Sequence, residues 1–186
     1  MKLSILVLIL VASTYGSSHP VRWAGSQMPT PAAGPSLDET LQWIKSSLNS
    51  DHTDLTGIRL ITSFTHQGCD VTLVKIGGRL TLLRADFNLA AIAYLRVRTE
   101  AGGSNTTGTN LIFQTAGERS IRAIRPSLAA AAGLTPTPDA QNLLSWQIGY
   151  VRVGAENPYI ELGQRLVNAF SHAVALCGGR LRKEPF

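Results

Sequence analysis

Two of the chain's 186 residues are cysteine, 6% are aromatic and 16% are charged, and each shortage excludes something. A nucleic-acid binder concentrates Lys and Arg on one face and interleaves aromatics, whereas here the rings are few and the arginines scattered, so no nucleic-acid partner is expected. The chain has no G-x-x-x-x-G-K-[ST] for phosphates, and the nearest glycine-rich stretch, GGSNTTG at 102–108, has no helix pattern behind it to supply an amide cradle. No G-x-S-x-G marks a hydrolase elbow. The acids are dispersed, so no carboxylate pair for glycosyl transfer is placed by position. The longest apolar run, Leu3 to Ala12 interrupted by Ser4, is about half the ~20 residues a membrane-crossing helix needs.

That short run has a meaning of its own. Lys2, the apolar stretch, and then the small residues Thr14 and Gly16 follow the three-part layout of a secretory signal, with cleavage expected after Gly16, the alternatives being a cut after Ser18 and an uncleaved anchor. The reading is therefore a signal peptide over 1–16, an exported protein, and no stable membrane span after cleavage. Residues 17–35 are rich in Pro, Gly, Ala and Ser without helical or strand period and read as a disordered spacer. The formal charge of +5 permits loose attraction to anionic surfaces.

Residues 36–179 read as a single α+β domain. Ser36 with Glu39 three positions later is a capping box, and Leu37, Leu41, Ile44 and Leu48 make one stripe of a three-turn helix, with Trp43 at its rim. The period then changes to two. Gly77-Gly78 divides VTLVKI from RLTLLR, a hairpin signal. In AYLRVRT, Leu95 and Val97 alternate with Arg96 and Arg98; AGGSNTTGTN reads as a loop tip, LIFQTA as a strand and SIRAI as a short one. Residues 126–142 read as an inserted short helix and loop. LLSWQIGYVRV is the last strand, with Trp146, Ile148 and Tyr150 expected on one side and Val151 and Val153 on the other. Asn157 and Pro158 start a closing helix whose stripe runs Ile160, Gly163, Val167, Phe170, Val174, Cys177, and Gly178-Gly179 end it. Residues 180–186 read as a flexible basic tail. A helix, an antiparallel sheet that can curl toward a barrel as in pleckstrin-homology-like folds, and a packed C-terminal helix complete the expected architecture.

Candidate chemistry centres on sulfur. An even number of cysteines in an exported chain favours a Cys69–Cys177 disulfide. Two other readings stand beside it: buried free thiols that behave as small apolar residues, and a nucleophilic Cys69 with His66 as base and Asp70 as orienter. The four histidines, His19, His52, His66 and His172, lack metal-ligand spacing, the DHTD at 51–54 already reads as a helix-ending turn, and His172 falls on the polar side of the last helix. No metal and no cofactor is expected. Asn105 heads an N-x-T triplet in a surface loop. Arg119, Arg122 and Arg125 read as a solvated edge.

ETLQWIKSSL after a signal peptide, GCDVTL leading into strands, FNLAAI, and the closing RLVNAFSHAVALCGG together resemble a group of small exported bacterial proteins of unknown function. The resemblance spans 36 to 179, its motifs are structural, and it implies no catalytic residues. The functional expectation is an exported, non-catalytic module that binds an envelope protein, lipid or polymer through its sheet face or loops. The alternative is a small thiol-dependent enzyme using Cys69 and His66.

Overall fold

Ser36 opens the first helix as the capping box requires. Its hydroxyl accepts from the Glu39 amide at 3.3 Å, and the Glu39 carboxylate accepts from the Ser36 amide at 2.7 Å. That amide first, and then the hydroxyl, hold the Glu39 carboxyl below the ordinary carboxylate range. The computed structural model describes residues 34–49, 52–53, 59–102, 105–117, 119–131, 133 and 135–182. Helix α1 (Leu37–Leu48) buries Leu41, Ile44 and Leu48, while Trp43 stays 38% exposed at the rim, under the guanidinium of Arg165. The expected signal peptide and most of the expected spacer lie outside the described residues.

Among the described residues nine strands follow, all paired antiparallel: β1 (His52–Thr53), β2 (Arg59–Gln67), β3 (Asp70–Gly77), β4 (Leu80–Asn88), β5 (Ile92–Gly102), β6 (Thr106–Thr115), β7 (Ile121–Ile124), β8 (Asp139–Gln141) and β9 (Leu143–Arg152). They form two sheets. The larger, sheet A, runs β1-β2-β3-β4-β7-β8, and sheet B runs β5-β6-β9. The fold is α+β, with an N-terminal and a C-terminal helix on antiparallel sheets that do not close into a barrel.

Two hairpins of sheet A use one device. Gln67 pairs with Asp70 across Gly68-Cys69, and Gly77 with Leu80 across Gly78-Arg79. In each the first loop residue has positive φ, 56° at Gly68 and 59° at Gly78, a conformation glycine takes without steric cost. The second loop residue is then free to carry a side chain. The hairpin expected at Gly77-Gly78 is thus displaced by one residue, because Gly77 still pairs in the sheet, where a Cβ would meet the Leu82 and Leu60 side chains at 2.7 and 3.2 Å.

Three other expectations shift. The loop expected at AGGSNTTGTN is mostly strand, since the β5–β6 ladder runs out to Gly102 and Thr106. The insertion at 126–142 does contain a helix, α2 (Pro126–Ala131), but its end is β8, which pairs with β7. Tyr150 leaves the side of Trp146 and Ile148. Thr109 pairs with Gly149 and Asn110 with Gln147, so Ile148 is an extra residue, and this bulge returns Tyr150 to the face of Gln147.

Helix α3 (Pro158–Leu176) begins at Asn157, whose side chain accepts from the Tyr159 amide. It ends in a Schellman arrangement: Gly178, at φ 78°, donates to Ala175 O and Gly179 to Val174 O. Its buried stripe is Gly163, Leu166, Phe170, Ala173 and Val174, whereas the expected Ile160 is 48% exposed. Phe170 joins the layers, meeting Phe64 of sheet A at 6.1 Å and Phe113 of sheet B at 5.0 Å, both edge to face. In the segment read as a basic tail, Leu181 packs on this core and the Arg182 amide donates to Ala93 O at 2.7 Å; residues 183–186 lie outside the description.

Candidate functional site

Cys69 occupies the second loop position of the β2–β3 hairpin, and Cys177 caps the C-terminus of α3. Their Cα atoms are 5.8 Å apart and the sulfurs are bonded, closing a sequence separation of 108. The Cys69 carbonyl also accepts from the Leu89 amide. His66 sits within β2, paired with Val71, and Cys69 lies in the β2–β3 turn. The imidazole of His66 stands 6.0 Å from the Phe64 ring, and its buried Nδ1 has no partner among the described residues. Asp70 instead accepts from the Asn88 amide at 2.7 Å. In this arrangement Cys69 has no thiol to ionise, and Asp70 is engaged away from the ring.

The remaining sequence candidates are dispersed. His172, expected to be solvated, is half-buried and its Nε2 donates to Pro35 O at 2.9 Å, fastening the chain ahead of α1 to α3. His19, Asp51 and Asp54 lie outside the described residues, and His52 is in β1. Asn105 is exposed at a turn with φ 62°. Of the three arginines, Arg122 alone lies in a strand, exposed on β7. Among the described residues no three His, Cys, Asp or Glu side chains cluster as metal ligands, and no helix is long and apolar enough to cross a membrane.

Sequence reasoning missed Lys75. It takes an inward position of β3, in series with Val71 and Leu73, and is 8% exposed. Its ammonium donates to the Gln147 carbonyl at 3.1 Å and lies 4.9 Å from the centre of the Trp146 ring. Burial pushes its pKa down to about 8, because the charged form loses water that one carbonyl and one ring face replace only in part. The period-two alternation of VTLVKI carried the signal, since residue 75 falls in phase with 71 and 73.

Described residues line three of the surface concavities. The first, about 430 Å³, lies between α1 and α3, lined by Pro35, Thr40, Trp43, Ala169 and His172 among others. The second, about 350 Å³, lies over sheet A beside Thr72, Asp86, Ser120 and Arg122. Partial burial alone would raise the Asp86 pKa, but hydrogen bonds from Arg84 and Thr72 and the charges of Arg84 and Arg122 bring it below the ordinary value. Its carboxylate is therefore internally satisfied.

The third concavity, about 190 Å³, opens on the face of sheet B turned away from Phe113 and Trp146. Its lining is Glu100, Ala101 and Gly102 of β5, Gly108 and Asn110 of β6, and Gln147 and Tyr150 of β9. The ladder explains the assembly. Glu100 pairs with Gly108 and Asn110 with Gln147, and the Ile148 bulge supplies Tyr150 on the same face. Gly108 makes the room: a Cβ there would meet Gln147 Nε2 at 3.1 Å and the Tyr150 ring at 3.2 Å. Asn110 is 7% exposed and lines the wall of this concavity. A side-chain amide at the wall of an open pocket offers donors and an acceptor to a guest. Arg98, across the ladder from Asn110, pairs with Glu100 at 3.3 Å and balances its charge.

No protein-family model matches the chain, and comparison with curated proteins and with solved structures returns no match.

Proposed function

We propose that the chain is an exported, non-catalytic binding module of the cell envelope, and that its contact surface is the outer face of sheet B. The observation that carries this reading is a polar pocket whose walls come from three strands and include Asn110, Gln147 and Tyr150. The bonded sulfurs agree with an oxidising compartment, where such a crosslink persists. The thiol-enzyme alternative requires the Cys69–Cys177 bond to open before Cys69 can act, and Asp70 to release Asn88.

Co-sedimentation of the purified chain tests the proposal. Wild type and Tyr150→Ala are spun with isolated bacterial sacculi and, separately, with phosphatidylethanolamine–phosphatidylglycerol vesicles. Retention of wild type by either envelope material, lost in the variant, is the expected result. Equal behaviour of the two chains, or no retention by either material, overturns it.

A further inference from the structure

The chemistry of this pocket narrows the ligand class. Building on the binding-module reading, we infer that the sheet B pocket receives one pyranose ring of a neutral saccharide. Three properties of the site converge on that class.

Size comes first. A space of 190 Å³ corresponds to about six water molecules of liquid, well below the roughly 300–1,000 Å³ of sites for drug-sized ligands. A single small ring is of that scale.

Donor and acceptor balance comes second. Hydroxyl groups on adjacent carbons of a sugar each donate and accept. The side-chain amides of Asn110 and Gln147 offer two donors and one acceptor oxygen apiece, and the Glu100 carboxylate accepts only. Cross-strand pairing of Asn110 with Gln147 puts both amide-bearing side chains on the pocket face of the sheet, the Gln147 amide leaning over Gly108. An anionic ligand would meet Glu100, and a cationic one would compete with Arg98, which already pairs with that carboxylate at 3.3 Å. The site thus favours an uncharged, hydroxyl-rich guest.

The third property is the Tyr150 ring, which stands beside Gly108, where the missing side chain leaves the ring reachable. An aromatic face packs against the C–H surface of a pyranose while the hydroxyls turn to the amides. The bulge at Ile148 is what brings the ring to this side of the sheet.

The test is a titration of the full chain, ¹⁵N-labelled, with four probes: the methyl glycosides of glucose, galactose, mannose and N-acetylglucosamine. The side-chain amide signals of Asn110 and Gln147 are followed by NMR. The expected result is a saturable shift of both signals with at least one glycoside. Gln147→Ala and Tyr150→Ala should each weaken the affinity about tenfold or more, while Tyr150→Phe, which keeps the ring, should bind nearly as wild type. Backbone signals of α1 and α3 report whether each variant is folded, and Gln147→Ala, on the surface of β9, serves if Tyr150→Ala unfolds. Four silent glycosides overturn the saccharide assignment, as do shifts that persist unchanged in both alanine variants. If the glycosides are silent but sedimentation with sacculi or vesicles still depends on Tyr150, the ligand class is wrong and the binding-module reading stands; if both assays fail, both fall.

Discussion

Strand β3 connects two interior regions of opposite character. At its first end, next to Asp70, the Cys69–Cys177 bond pins the β2–β3 turn to the end of α3, over a core of Val71, Phe64, Phe113 and Phe170. Four residues beyond Val71, roughly 13 Å along the strand, Lys75 places an ammonium against Trp146 and one backbone carbonyl. The first end gains from a covalent restraint and from apolar burial. The second carries a desolvated charge that lowers stability below what an apolar residue would give. Neighbouring inward positions of one strand, identical in backbone, therefore contribute with opposite sign.

The comparison breaks most visibly at the sulfur end. Replacing Cys177 by Ser reopens a long loop in the unfolded chain, and the entropic treatment puts the loss at about 4–5 kcal/mol. Denaturant unfolding with and without reductant measures it. Reductant should lower the midpoint of the wild type and leave the variant unmoved. Phe170→Ala, which removes the ring shared by both sheets, is expected to cost about 3–5 kcal/mol in the same assay.

At the lysine end the sign reverses. Lys75→Met keeps length and removes the charge, and near neutral pH it should stabilise the chain by about 1–3 kcal/mol. Below the folded value of about 8 the ammonium is charged in both states, so its burial penalty is present in full. Between pH 8 and the unfolded value of 10.5 the unfolded chain holds the extra proton, so wild-type stability gains from this residue as pH rises. Above that window the penalty is gone and the advantage of the variant over wild type should close. A constant advantage across pH 7 to 11, measured by urea unfolding, would remove the desolvated ammonium from the account. The smallest effect is at α1, where Ser36→Ala removes one half of the capping box and should cost about 1 kcal/mol.

What could be read in advance was whatever rests on local chemistry. The capping box at Ser36 and Glu39, the glycine turn at Gly78, Asn157 and Gly178 at the ends of α3, and the pairing of the two cysteines are short-range or arithmetic signals, and the fold class followed from them. The rest depends on register. The side of the sheet that Tyr150 occupies is decided by one unpaired residue at Ile148, which alternation in the sequence does not reveal. Nor does the sequence show that Glu100, Asn110 and Gln147 share a face, since that needs the β5–β6–β9 pairing. Ile160 and His172 were misplaced for a related reason: the helix stripe was legible, but the position of Pro35 and α1 against it was not.

The claim on which the functional reading turns is that the sulfurs restrain the fold and do not react. Intact mass of the purified chain, recorded without reduction after exposure to iodoacetamide in denaturant, tests it directly. The account predicts a mass two hydrogens below the dithiol form and no carbamidomethyl adduct; a chain alkylated at Cys69 would contradict it and return the thiol chemistry of His66 and Cys69 to the foreground.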